Sequence, residues 1–474
     1  MLGESTIDDG LLSIAMLGTR GVPARYGGFE TAVEEVGKRL AARGHRVRVY
    51  CREGNVEEEM TSYLGMELVT LPTLKKRTLD TLAHTGVSTM HLLGHRTDVA
   101  FVFNAANAPF LPVLRAARIP VATHVDGLEW KRAKWGPAGQ KYYRRAEEAS
   151  VRLSDALIAD AKGIADYYDR EFGAETELIA YGAPILENVG HDRLAEMDVR
   201  PGEYHLVVAR FEPENHVDVI VDGYVRSSAQ KPLVVVGSAP YADEYIAKVQ
   251  ALAGDDPRVR LVGGVYDQEL LDQLYGNAAT YLHGHSVGGT NPSLLRAIGA
   301  GTATIAYDVD FNREVLQHHG RYFATAADLP EILADAEFFD DLTAYRGARL
   351  RQRAHDYDWD RVADEYEALA RKLAVRATPG PQRGRRRRDG GSRTATVAAP
   401  ASVASVPDPA VAPVAAVAPA VMVNAPVVGV DASEPALYLD RELAELETDL
   451  SASSESPDRA DGDAVALDAN VGER

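Results

Sequence analysis

The segment His285-Ser286-Val287-Gly288-Gly289-Thr290-Asn291-Pro292 joins a glycine pair to a helix start. Gly288 and Gly289 let backbone approach a ligand with no Cβ in the way. Asn291 is a good N-cap, and Pro292 fits the first helical position, where its missing N–H costs nothing. The product is a helix N-terminus whose free N–H groups face a glycine loop, which is chemistry suited to a diphosphate. Taken alone, the same residues also make an ordinary strand–turn–helix corner. A second glycine corner stands near the start of the chain, Gly18-Thr19-Arg20-Gly21-Val22-Pro23-Ala24-Arg25-Tyr26-Gly27-Gly28-Phe29-Glu30. It has neither GxGxxG nor GxxxxGK[ST] spacing, which disfavours a nicotinamide or flavin enzyme and a phosphate-loop NTPase. Gly27-Gly28 feeds directly into a helix, and Arg20 and Arg25 either meet anionic oxygens or stand as surface arginines. The two corners together suggest one ligand clasped from both sides.

Alternating elements must position these corners. Strands are predicted at Leu11–Leu17, Val47–Cys51, Asp98–Asn104, Val121–His124, Ala156–Ala159 and Glu177–Ile179, as short apolar runs of the kind buried in parallel sheets. Helices are predicted at Glu30–Arg43, stopped by Gly44, and at Tyr142–Leu153. After the turn Tyr181-Gly182-Ala183-Pro184 the rhythm repeats. Strands are expected at Leu206–Arg210, Leu233–Gly237, Val259–Val262, Ala279–His283 and Ala303–Tyr307, and a last amphipathic helix at Asp360–Leu373. Two βα-rich halves point to an α/β chain of two doubly wound, Rossmann-like domains, with ligand between them at the C-terminal strand ends. The boundaries read as 1–182, 183–376 and a tail, 377–474. The tail holds the basic run Arg383–Arg388, an Ala/Pro/Val stretch and an acidic end, a composition of disordered linkers. Leu437, Leu439, Leu443, Leu446 and Leu450 roughly match one helix face within it, either a docking helix or a nascent one.

With 474 residues, 46% of them hydrophobic, the chain can fill two ordinary cores. A net charge of −19 disfavours nucleic acid and anionic membrane as partners for the body of the protein. The single cysteine, Cys51, excludes a disulfide framework and a Cys-based zinc site, and fits a cytoplasmic setting. No basic n-region precedes Leu11–Leu17, and prolines interrupt the charge-poor stretch from Val397 to Val430. Neither a signal peptide nor a membrane span is expected. Arg383–Arg388 is nonetheless a candidate for peripheral contact with anionic lipid at the inner face of the plasma membrane.

The motifs GTRGVPARYGGFET (Gly18–Thr31), DGLEWKRAKW (Asp126–Trp135), ARFEPENHVD (Ala209–Asp218), HGHSVGGTNPSLL (His283–Leu295) and FNREVL (Phe311–Leu316) carry a resemblance. From about Leu12 to Leu373 the chain resembles the GT-B glycosyltransferases of glycosyltransferase family 4, within the bacterial branch that includes rhamnosyltransferases. The resemblance implies transfer of a sugar from a nucleotide-sugar donor, with retention and without metal or other cofactor. It places the acceptor on the N-terminal half and the donor nucleotide on the C-terminal half. Arg210 matches the basic residue that neutralises the donor diphosphate as the leaving group gains charge. Gly27, Gly28, Gly288, Gly289, Thr290, Asn291 and Arg296 complete the expected donor side. His124 matches a histidine beside the transferred sugar, there to donate a hydrogen bond or to stabilise positive charge through its carbonyl. Asp126 is expected to orient the acceptor hydroxyl or act as its base. Arg20, Glu129, Trp130 and Lys134 are the acceptor-side candidates, with Trp130 able to stack on a sugar face.

Two positions depart from the wider family. Asn215 stands where a lysine is usual, and Gly288 and Arg296 stand where two glutamates hold donor sugar and ribose. We expect Arg296 to supply charge to the diphosphate, with ribose held by backbone or Glu314. Asp308-Val309-Asp310 imitates a metal-binding DxD pair but belongs to a loop after a strand of the second half. The favoured reading is a sugar transferase, with rhamnose a candidate sugar, acting on a lipid-linked or saccharide acceptor in cell-surface polysaccharide synthesis. Its rivals are a nucleotide-sugar epimerase and a catalytically silent relative that binds nucleotide-sugar or glycan as a scaffold.

Overall fold

The structure is a computed structural model, and it describes residues 10–24, 27–56, 59–74, 80–125, 127–132, 135–237 and 243–375. Arg25, Asp126, Lys134, the run Arg383–Arg388 and the leucine series of the tail lie outside the described residues.

The first sheet, among the described residues, consists of β1 (Ser13–Leu17), β2 (Arg46–Arg52), β3 (Ser62–Tyr63), β4 (Met66–Leu71), β5 (Val99–Phe103), β6 (Val121–Val125), β7 (Ala156–Ala159) and β8 (Glu177–Leu178). Their order is β3-β4-β2-β1-β5-β6-β7-β8. All neighbours are parallel except β3 and β4. Among the described residues α1 (Gly28–Ala42), α2 (Asp80–Gly94), α3 (Leu111–Ala116), α4 (Pro137–Leu153) and α5 (Lys162–Phe172) accompany it. The second sheet contains β9 (His205–Val208), β10 (Leu233–Val236), β11 (Val259–Gly263), β12 (Thr280–His283), β13 (Thr304–Tyr307) and β14 (Arg321–Phe323). It is parallel throughout, in the order β11-β10-β9-β12-β13-β14. Beside it, among the described residues, lie α6 (Val217–Val225), α7 (Asp243–Ala253), α8 (Gln268–Gly276), α9 (Pro292–Ala300), α10 (Asp310–Leu316), α11 (Leu329–Phe338) and α12 (Asp340–Ala354), while α13 (Trp359–Ala374) returns to the first sheet. None of the helices among the described residues is long and apolar enough to cross a membrane.

Helices on both faces bury these strands, so they need no polar alternation; every residue of β5, β6, β7 and β10 is buried. Among the parallel strands of each sheet the order reverses once, between β1 and β5 and between β9 and β12. At such a reversal the loops from adjacent strands diverge and leave a crevice at the C-terminal strand ends, where α/β sheets bind ligand. The two glycine corners follow β1 and β12, one at each crevice.

Helix α13 ties the end of this fold back to its beginning. Val362, Tyr366, Leu369, Ala370 and Leu373 recur at helical spacing and are buried in one core with Val33, Val36 and Leu40 of α1. Asp358 caps its start by accepting from the Asp360 N–H at 2.8 Å. Arg39 pairs with Asp360 at 2.7 Å and Arg43 with Glu367 at 2.9 Å, so ion pairs flank the apolar seam. The turn before the second half is locked by Trp359, whose ring lies where a Cβ on Gly182 would project.

Candidate active site in the cleft between the sheets

The loop after β1 is held by carboxylates of α1. The Arg20 N–H donates to Glu30 at 3.1 Å and the Ala24 N–H to Glu34 at 2.6 Å. The Arg20 guanidinium lies 3.9 Å from the same Glu30, so its charge is already part-answered. Helix α1 starts at Gly28, two residues earlier than its sequence pattern predicts, with Gly27 as its N-cap.

β6 delivers His124. Its ring is fully buried beside Phe29, Phe103, Tyr181 and Tyr366, and burial pushes its pKa down to about 3. It is therefore neutral near neutral pH. Nδ1 pairs with the Tyr366 hydroxyl at 2.8 Å, and Nε2 has no partner among the described residues. If the tyrosine donates to Nδ1, the proton sits on Nε2, which can then donate to a sugar oxygen; that tautomer is inferred from the hydrogen bond. A proton-accepting role is poorly served by such a ring. Its carbonyl accepts from the Asn104 N–H at 3.0 Å.

Further along the same loop, Glu129 is buried, 3.3 Å from the Trp135 indole nitrogen and 2.5 Å from Arg132 Nε. Trp130 is half-buried, with the Arg144 guanidinium 4.2 Å from its ring centre.

The second sheet supplies the opposite wall. Asn291 caps α9, accepting from the Ser293 N–H at 2.9 Å, and Pro292 occupies the first turn. Arg210 follows β9, is 42% exposed, and lies 3.4 Å from Glu212. Asn215 fastens the loop: its amide donates to the Arg210 carbonyl at 2.8 Å, and its oxygen pairs with His285 Nδ1 at 2.7 Å. His285 is buried, and burial, then the nearby Arg132, holds its pKa well below the usual range. Asn312 donates to the His285 carbonyl at 3.0 Å, which explains why FNREVL accompanies the glycine loop.

The two walls meet. A Cβ on Gly127 would come within 2.7 Å of the Gly288 carbonyl group, and one on Gly289 would collide with the Asp160 carboxylate. Only glycine permits those approaches. A Cβ on Gly28 would touch Pro292 at 3.5 Å. Thr290 donates its hydroxyl to the Asp160 carbonyl at 2.7 Å. Arg132 reaches across to Glu212 at 3.7 Å and Glu214 at 3.5 Å. The two glycine corners and the loop after β6 therefore meet at one seam between the sheets.

Residues 12–184 match the family model described as a domain of unknown function, DUF1972, and residues 202–337 match glycosyl transferases group 1. No curated protein matches the sequence. Among solved structures, sucrose-phosphate synthase from Thermosynechococcus elongatus is similar with a TM-score of 0.67 at 19% identity, over 77% of this chain and 100% of its own. Anabaena HepE in complex with UDP-glucose gives 0.63 at 16% identity, over 76% and 99%. A glycosyltransferase from Rickettsia africae gives 0.60 at 13% identity, over 77% and 98%. The fold is GT-B.

Several residues of this GT-B cleft differ from the sequence expectation. Arg296 does not present a free head to the glycine loop: it pairs with Asp272 on α8. Gly299, on the same helix, packs against the Pro184 carbonyl. Glu314 accepts from the Lys162 N–H at 3.1 and 3.2 Å, capping α5 across the cleft where ribose contact was expected. Asp308 is engaged by Arg313 at 2.5 and 2.7 Å. Asp160 was missed. It directly follows β7, is 4% exposed, and burial lifts its pKa to about 7, while Oδ1 has no hydrogen-bond partner among the described residues. A polar residue directly after a buried parallel strand was the available signal.

Proposed function

We propose that the chain is a retaining, metal-independent glycosyltransferase that takes its sugar from a nucleoside-diphosphate donor. The observation that carries this reading is the meeting of Gly127 and Asp160 with Gly288-Gly289 at the N-terminus of α9, beside Arg210. A departing nucleoside diphosphate gains negative charge as the bond to the sugar breaks. Free N–H groups at a helix start and a guanidinium fixed nearby stabilise that charge without reorganising. Anabaena HepE and its neighbours favour a UDP-sugar as the first donor to test. The acceptor lies on the side of Glu129, Trp130 and Lys134 and is a lipid-linked or saccharide hydroxyl, with rhamnose as a candidate transferred sugar in polysaccharide assembly. Its proton goes to Asp126 or to the leaving phosphate, because His124 is too weak a base.

Incubation with a panel of nucleotide sugars, with and without a saccharide acceptor, tests the reading through release of nucleoside diphosphate and the anomeric configuration of the product. Acceptor-dependent release with retention is expected; inversion would contradict it. The Arg296–Asp272 pair favours one rival, a silent relative that binds donor without turnover, because it occupies the position expected to hold ribose. Binding with no release under any acceptor would select that rival.

A further inference from the structure

Outside the cleft, the outer face of α4 carries a concave basic surface. Pro137, Gln140, Lys141, Arg144, Arg145 and Glu148 lie at helical spacing and line a cavity of about 450 Å³, closed on one side by Trp130. The face runs roughly 16 Å along the axis at 1.5 Å per residue. Glu148 is neutralised by Arg152. Among the described residues no carboxylate lies within ion-pair distance of Lys141, Arg144 or Arg145, although the whole chain carries a net charge of −19. The neighbouring carboxyl Glu147, three residues after Arg144, is buried at the edge of this face and takes the Tyr167 hydroxyl at 2.9 Å; burial raises its pKa to about 7, with the Tyr167 bond and then the Arg144 charge acting against that rise. The positive N-terminal end of α4 borders the same cavity.

We propose that this cavity holds the diphosphate of a lipid-linked acceptor, which rests on the acceptor-side reading above. Three cations at i, i+3 and i+4 offer separate donors to the oxygens of adjoining phosphates. Trp130 and the arginine stems add apolar surface beside the charge, which suits a ligand that changes from polar to hydrocarbon over a short distance. Lys141, Arg144 and Arg145 span little more than one helical turn, the reach of a single headgroup anion. The loop that carries Trp130 also carries Glu129, so an anchored phosphate leaves its sugar on the cleft side.

Farnesyl diphosphate is the probe, titrated by calorimetry and by tryptophan fluorescence. The comparison is wild type against a Lys141→Gln/Arg144→Gln/Arg145→Gln variant of unchanged melting temperature. Binding should weaken on the order of 10- to 100-fold in the variant, given the strength of charge-assisted hydrogen bonds. Inorganic pyrophosphate should compete, higher salt should weaken binding, and UDP should not compete. Equal affinity in both proteins, no binding to wild type, or displacement by UDP would overturn the proposal. So would a variant that loses only flotation with phosphatidylcholine/phosphatidylglycerol vesicles, which would mark a membrane contact instead. Loss of farnesyl diphosphate binding in a protein that also ignores every nucleotide sugar would support this site and remove the transferase reading.

Discussion

Asp160→Asn should stabilise this protein, and more so at higher pH. The carboxyl is buried, held by the Tyr181 hydroxyl and pressed against Gly289, and its pKa lies near 7 instead of 3.8. An acid whose folded pKa is raised binds its proton more tightly folded than unfolded. Between about pH 4 and pH 7 the unfolded chain has lost that proton while the folded chain keeps it, so stability falls as pH rises through this window and is level above it. At 1.36 kcal/mol per unit, the cost is about 1.5 kcal/mol at pH 5 and about 4 kcal/mol at pH 8. Asparagine keeps the shape and an acceptor for Tyr181 but has no proton to lose. Urea unfolding of both proteins at pH 5 and pH 8 measures the difference. The variant's advantage should grow by about 2.5 kcal/mol between the two pH values. An advantage that does not change with pH, or a variant less stable at pH 8, would mean that the carboxylate is ionised and paired.

Three further outcomes follow from the same geometry. His84, His124, His283 and His319 are held neutral by burial, with pKa values of about 4, 3, 3 and 4. The unfolded chain binds their protons below about 6.5, so unfolding free energy should climb from pH 4 to pH 6.5 despite Asp160, and a flat profile would contradict their burial. Tyr366→Phe leaves His124 Nδ1 without its partner and should cost about 1–3 kcal/mol in denaturant unfolding; a change below about 0.5 kcal/mol would make that hydrogen bond dispensable. Arg296→Ala removes a partly exposed pair with Asp272 and should cost at most about 1 kcal/mol. It should leave UDP affinity nearly unchanged by calorimetry, whereas a tenfold loss would restore the diphosphate role that its sequence position suggests.

What the sequence reveals here is what local rules govern. Asn291, Pro292 and the glycine pair cap a helix by themselves, and the structure puts that helix where those residues predict. Buried parallel strands announce themselves as apolar runs, so β1, β5, β6 and β10 were legible. The strands missed were β3, β4 and β14; β3 and β14 are only two and three residues long, too short for an apolar run to show. The amphipathic pattern of α13 was visible, but its seat against α1 was not, because more than 300 residues separate the partners. Arg296 was misplaced for the same kind of reason: its spacing along α9 says nothing about Asp272 on the adjacent helix. Asn215 read as a lost lysine, and its work as a fastener between Arg210 and His285 appears only in three dimensions.

The central claim is that a nucleoside diphosphate binds in this cleft with its phosphates between α9 and Arg210. Calorimetric titration of wild type and Arg210→Ala with UDP and the other nucleoside diphosphates tests it directly. At least one diphosphate should bind wild type and lose about 1.5–3 kcal/mol in the variant, roughly 10- to 150-fold, while the matching nucleoside changes far less. A wild-type protein that binds no nucleoside diphosphate, or an Arg210→Ala variant that binds one equally well, would contradict the account.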